Sequence, residues 1–170
     1  DGTITNRSSF VQAIGISNAI AISASASYHH VVALRSDGLV FGTGSGNQGE
    51  LGDNGVVSRR TYVQALGISN AVAIACGYQH TVALRSDGLV FATGNNASGR
   101  LGDGTVTNRN TFVQAVGVSN VIAIAAAKFH SIALCSDGNV YATGQAGYGM
   151  IGDGANVARS SFVQALGISN

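Results

Sequence analysis

Three histidines, His30, His80 and His130, recur at intervals of 50 residues. An imidazole can bind a metal or carry a proton, so a ring of them about a common axis is the first chemistry to weigh. Histidine ligands are ordinarily braced by carboxylates or carbonyls, and no carboxylate recurs beside these three. They are therefore expected to be structural, each fixing its adjacent loop by hydrogen bonds, with no metal bound. Asp37, Asp87 and Asp137 also recur, but inside Ser-Asp-Gly, where aspartate builds turns. Asp1, Asp53, Asp103 and Asp153 each precede an arginine (Arg7, Arg59, Arg109, Arg159), which predicts one ion pair per unit. Glycine-rich stretches such as 94–102 open no helix and lack a following lysine, so they do not cradle phosphate. No Ser-His-Asp set stands out from the serine-rich background. No catalytic residue and no cofactor are expected.

What must position these residues is a tandem repeat. One phrase occurs four times: FVQAIGISN at 10–18, YVQALGISN at 62–70, FVQAVGVSN at 112–120 and FVQALGISN at 162–170. The opening aspartates are spaced by 52, 50 and 50 residues, and the two extra residues of the first unit fall at a loop within 23–29. The chain therefore reads as a single array, 1–170, of units 1–52, 53–102 and 103–152 with a partial 153–170. Each unit predicts four short strands, in the second unit at 61–66, 71–75, 80–85 and 89–93. Asp-Gly between two apolar runs is a strong hairpin signal, because glycine tolerates positive φ. The strands at 71–75 and 121–126 carry small residues, as a crowded innermost strand needs; that around Tyr62 and Gln64 suits an outer edge. Short strands at this spacing fit a β-propeller, and three repeats of this length also fit a β-trefoil.

Composition agrees with an all-β chain. Glycine is abundant at 24 residues, proline is absent, and the charged fraction is only 10%. A net charge of +1 offers no broad field for phosphates, so nucleic acid is not the expected partner. No run of 18 apolar residues is present, so no membrane role is expected either. Cys76 and Cys135 occupy non-equivalent places in successive units and read as core or strand residues. The low charge, the single lysine (Lys128) and two glycosylation-type tripeptides, starting at Asn6 and Asn96, suit a secreted or cell-surface setting.

The stretch 74–84, with 86–91 and 99–102, resembles the regulator-of-chromosome-condensation repeat, and units one and three follow the same plan around His30 and His130. The resemblance runs through the whole chain. It implies a propeller, usually of seven blades, with scaffold and binding roles that include nucleotide exchange on a small GTPase. Where that family usually has Trp-Gly, this chain has Thr43-Gly44, Thr93-Gly94 and Thr143-Gly144, and it has no tryptophan. Light sensing by a tryptophan cluster, known in one relative, is thereby ruled out for this segment. No exchange-factor residue carries over.

The repeats also point to where function should lie. Residues 53–102 and 103–152 match at 25 of 50 positions, and the differences are not spread evenly: two loops per unit change freely. One precedes the histidine (25–29, 76–79, 126–129) and one follows the fourth strand (45–50, 95–100, 145–150). As alternate loops of an up-and-down sheet they share one face. Varying loops on a constant scaffold are where specificity is built. The candidate binding residues are Tyr28, Tyr78, Gln79, Asn95, Asn96, Arg100, Phe129 and Tyr148. The function expected is a non-catalytic protein-binding scaffold. Alternatives are a lectin-like carbohydrate module, which the dissimilarity of the loops disfavours, and an exchange factor. Three blades cannot close a ring, so completion by further repeats of a longer chain or by self-association is expected, and the isolated segment is not expected to be a stable monomer.

Overall fold

The computed structural model describes residues 1–168. It contains twelve strands in three four-stranded antiparallel sheets, with one short 3-10 turn at Gly147–Gly149. The first sheet is β1 (Ala19–Ala24), β2 (His30–Arg35), β3 (Val40–Gly44) and β4 (Arg59–Gln64). The second is β5 (Ala71–Cys76), β6 (His80–Arg85), β7 (Val90–Gly94) and β8 (Arg109–Gln114). The third is β9 (Val121–Ala126), β10 (His130–Cys135), β11 (Val140–Gly144) and β12 (Arg159–Gln164). In each sheet the strands lie in chain order. Register repeats faithfully: Ala33 faces Phe41, Ala83 faces Phe91 and Ala133 faces Tyr141 across the three central hairpins.

The sheets are out of phase with the sequence unit. The strand that opens each unit pairs with the sheet before it, β4 with β3 and β8 with β7. The loop 45–58 returns the chain alongside β3, whereas the Gly-Ile-Ser-Asn turn carries it inward to start the next sheet. That turn needs its glycine. Gly67 sits at φ +80°, and a Cβ there would stand 2.2 Å from the Phe112 carbonyl oxygen. The carbonyl of Leu66, just before it, accepts the Phe112 N–H at 2.9 Å.

Apolar side chains fill the space between blades. Val32, Leu34 and Val40 of the first sheet are buried with Ala83, Phe91 and Phe112 of the second. Val82, Leu84 and Val90 of the second are buried with Ala133 and Phe162 of the third. Each valine, leucine or phenylalanine among them contributes about 1.5–3 kcal/mol by leaving water. The equivalent residues on the far side of the third sheet, Ile132, Leu134 and Val140, are only half-buried, because no blade in the described residues covers them. The innermost strands β1, β5 and β9 are the ones built from small residues, and β5 packs between the other two.

The first copy of the repeated phrase behaves differently from the other three. Residues 10–13 form no strand. Phe10 is 108% exposed, whereas its counterparts Phe112 and Phe162 are 4% and 3% exposed. The Ile14 carbonyl still accepts the Tyr62 N–H at 2.9 Å, so the segment keeps its seat on the first blade. What it lacks, within the described residues, is a third strand on its other side.

Candidate functional site

The strand order puts both sets of varying loops at one face, as antiparallel connectivity requires, and the near-constant Ser-Asp-Gly turns at the other. The face rests on polar bonds that cross from blade to blade. Thr81 donates its hydroxyl to the Glu50 carbonyl at 2.7 Å and lies 3.2 Å from His30 Nε2. Because the hydroxyl hydrogen is spent on the carbonyl, His30 must donate through Nε2. Ser131 repeats the arrangement, donating to the Arg100 carbonyl at 2.7 Å and accepting from His80 Nε2 at 3.0 Å. His30 and His80 therefore tie each blade to the next, while the Nδ1 atoms of all three repeated histidines are buried without a partner. Burial pushes His30 down to about 4 and His80 down to about 3, the latter helped by the charge of Arg100. His130 is lowered by the same cause.

The threonines of the second and third Thr-Gly pairs also bond across the blades. Thr93 Oγ1 lies 2.8 Å from the Gly49 carbonyl of the blade before and 3.0 Å from the Arg109 carbonyl of its own. Thr143 repeats both contacts on Gly99 and Arg159.

On this base the structure brings Tyr28, Tyr78 and Phe129 together, one from each blade. The Tyr28 and Tyr78 ring centroids are 4.9 Å apart and those of Tyr78 and Phe129 6.1 Å apart, the second pair edge-to-face. All three rings are half-buried. Ser25 fixes the spacing, donating its hydroxyl to the Tyr78 carbonyl at 3.2 Å and accepting the Tyr28 N–H at 3.2 Å. A cleft of about 400 Å³ runs along these loops, lined by Ser27, Gly77, Ala127 and Lys128 among others. Lys128 Nζ lies 5.3 Å from the Tyr78 ring centroid and 5.0 Å from that of Phe129. The Arg100 guanidinium lies 5.1 Å from the Phe129 centroid.

The other sequence candidates lie elsewhere on the face. Gln79 is half-buried at the foot of the ladder, its carbonyl accepting the Asn95 N–H at 2.8 Å. Asn95 donates to Gln48 Oε1 at 3.2 Å. Asn96 has no exposed surface, and its amide is committed to Asp103, Thr105 and the Leu101 N–H. It holds the loop together and, in this fold, presents no glycan acceptor to solvent. Tyr148 is fully exposed at φ +61° and does not join the ladder. Lys128 escaped the sequence reading, although its signal was plain: the single lysine stands in a varying loop beside Phe129.

The ion pairs expected once per unit are present as Asp1–Arg7, Asp53–Arg59, Asp103–Arg109 and Asp153–Arg159. Arg35 and Arg85 pair with Asp37 and Asp87 in the hairpins of the opposite face. In the third blade Cys135 stands where the arginine would be, and Asn139 Nδ2 bonds Asp137 instead, at 2.9 Å. Cys76 and Cys135 are free and lie in different blades, and burial pushes the Cys76 thiol up to about 11.

Sheets stacked face to face, each taking its outer strand from the next unit, define a set of β-propeller blades. The model of the Regulator of chromosome condensation (RCC1) repeat matches residues 37–84 and 87–134, and a second model of that repeat matches 71–100 and 121–149. The chain belongs to the RCC1 repeat family. No curated protein matches the sequence. Among solved structures it is similar to yeast RCC1 (Prp20) bound to Kap60, at 20% identity and a TM-score of 0.77 over 92% of this chain and 38% of that one. It is similar to Prp20p of Saccharomyces cerevisiae, solved with a study of its binding to Gsp1p and histones, at 20% identity and 0.76, covering 92% and 39%. Human WBSCR16 gives 22% identity and 0.68, covering 81% and 37%. The chain thus spans under two fifths of the length of these relatives.

Proposed function

We propose that this chain is a non-catalytic protein-binding part of a larger propeller, with the partner received on the face of varying loops. The observation that carries the reading is the ladder of Tyr28, Tyr78 and Phe129. Three aromatic side chains from three separate blades pack in series, one pair tilted and one edge-to-face, half-open to solvent. Partly exposed aromatics next to arginine are favoured anchors at protein interfaces. Yeast RCC1 (Prp20), in complex with Kap60, is itself a protein binder of this fold, which fits the reading. A near-neutral chain supports a protein over a nucleic acid as the partner. No helix among the described residues is long and apolar enough to cross a membrane. The single array of residues 1–170 is proposed to be completed by further repeats of the same polypeptide or by another copy. The half-open face of Ile132, Leu134 and Val140 and the unpaired residues 10–13 are the surfaces such completion would cover.

The test is site-specific crosslinking in the cells that make the protein. A photoreactive residue in place of Tyr78 should trap one dominant protein, and one in place of Asp87, on the opposite face, should not. Equal trapping from both positions would remove the assignment of the face.

A further inference from the structure

The charges of this chain are almost entirely paired, and the exceptions are informative. Among its lysines and arginines, six arginines each hold an aspartate, leaving Arg60, Arg100 and Lys128 without a carboxylate among the described residues. Arg60 is exposed at the start of an outer strand. Arg100 and Lys128 both lie against the Phe129 ring. Arg100 is 3% exposed, its Nε has no partner, and its one hydrogen bond is a long one to the Lys128 carbonyl, at 3.4 Å. Burying a charge without a counter-charge is costly. The acids left over cannot serve it. Glu50 is buried within its own loop, accepting from Ser45 Oγ and the Gln48 N–H, and Asp137 belongs to the opposite face.

We propose that the Tyr28–Tyr78–Phe129 ladder receives an acidic segment of a protein partner, whose carboxylates pair with Lys128 and Arg100 while its apolar side chains lie on the rings. The proposal rests on the protein-binding reading above. Lys128 is exposed and laid over the Tyr78 and Phe129 rings on a flexible stem. The Arg100 guanidinium, against the same Phe129 ring, keeps donors free that suit a carboxylate. A nucleic acid fits less well, because it needs a track of cations along its phosphates, and every other arginine of this face except Arg60 is neutralised by its own aspartate.

The experiment uses the intact polypeptide that carries these residues and two labelled probes, a short peptide of alternating Glu and Leu and its counterpart with Gln for Glu, followed by fluorescence anisotropy. The Glu peptide should bind at least about tenfold more tightly. Lys128→Gln, at an exposed side chain that leaves the fold intact, should erase most of that preference, and Arg100→Gln should do the same. Tyr78→Ala should weaken both peptides alike. Equal binding of the two peptides, no binding of the Glu peptide, or a preference that survives Lys128→Gln overturns the proposal. So does tighter binding of an oligothymidylate than of the Glu peptide. Equal binding that still depends on Tyr78 sinks only the acidic partner, whereas binding indifferent to Tyr78 sinks the binding face itself.

Discussion

His30 and His80 show how one side chain can set the acid limit of a whole fold. Each is neutral in the folded chain, with its pKa held at about 4 and about 3, against about 6.5 in the unfolded chain. The unfolded state therefore takes up protons first as pH falls. Stability is full above pH 6.5 and declines as pH drops below it, by up to about 1.4 kcal/mol per pH unit for each histidine. Urea midpoints measured at pH 7, 6 and 5 should fall steadily, and His80→Gln should flatten the slope, with His30 and His130 carrying what remains. A profile unchanged across that range would mean the imidazoles are not held neutral. Thr93 makes a second prediction at this scale. Thr93→Val keeps the shape but removes the hydroxyl shared by the Gly49 and Arg109 carbonyls, the first of which keeps the Gly52 N–H, so it should cost about 1 kcal/mol in a denaturation series. The recurrence of the histidines was legible in sequence, but the reading tied each to its adjacent loop, whereas His30 and His80 bond to the following blade. The identity of their partners was not legible, since Thr81 and Ser131 differ and each belongs to the following blade.

At the scale of strands and turns, local signals and the four-stranded blade read true, but which unit supplies each blade's outer strand did not. Asp-Gly hairpins and small-residue runs marked β5, β6 and β7 to within a residue or so. The pairing of the opening strand with the preceding sheet was invisible, because a strand's composition records its burial and not its neighbour. The ladder was half legible: Tyr28, Tyr78 and Phe129 stood out as loop aromatics, but only packing separates them from Tyr148 and Asn96. Glycine offers a direct check. Gly67 and Gly149 share the left-handed conformation, yet a Cβ at Gly67 meets backbone at 2.2 Å and one at Gly149 meets nothing within 4 Å. Gly149→Ala should therefore cost only the conformational strain, about 1 kcal/mol, and Gly67→Ala clearly more. Equal thermal shifts for the two would show that the turn at Gly67 can yield.

For the molecule as a whole, the contrast between the copies of one phrase measures what a missing neighbour means. Phe112→Ala removes a ring buried between two blades and should cost about 3–5 kcal/mol. Phe10→Ala in the 170-residue chain should cost almost nothing, since that ring is wholly exposed. Chemical denaturation of both variants, in the segment and in any longer polypeptide that contains it, decides the matter. If Phe10 becomes costly only in the longer chain, the first copy has found its sheet there.

The offset between unit and blade has a consequence for how such an array is inherited. A duplicated stretch of 50 residues, copied in tandem, gives its opening strand to the blade before it and receives one from the unit after it. No sheet inside the lengthened array is left short, whichever unit was copied. The same holds for a deletion of one whole unit. A lineage can therefore gain or lose blades by recombination between copies without rebuilding any internal seam, and the nearly constant phrase at 62–70, 112–120 and 162–170 offers matched stretches for such exchange. The two outermost seams alone are exposed to selection on fit.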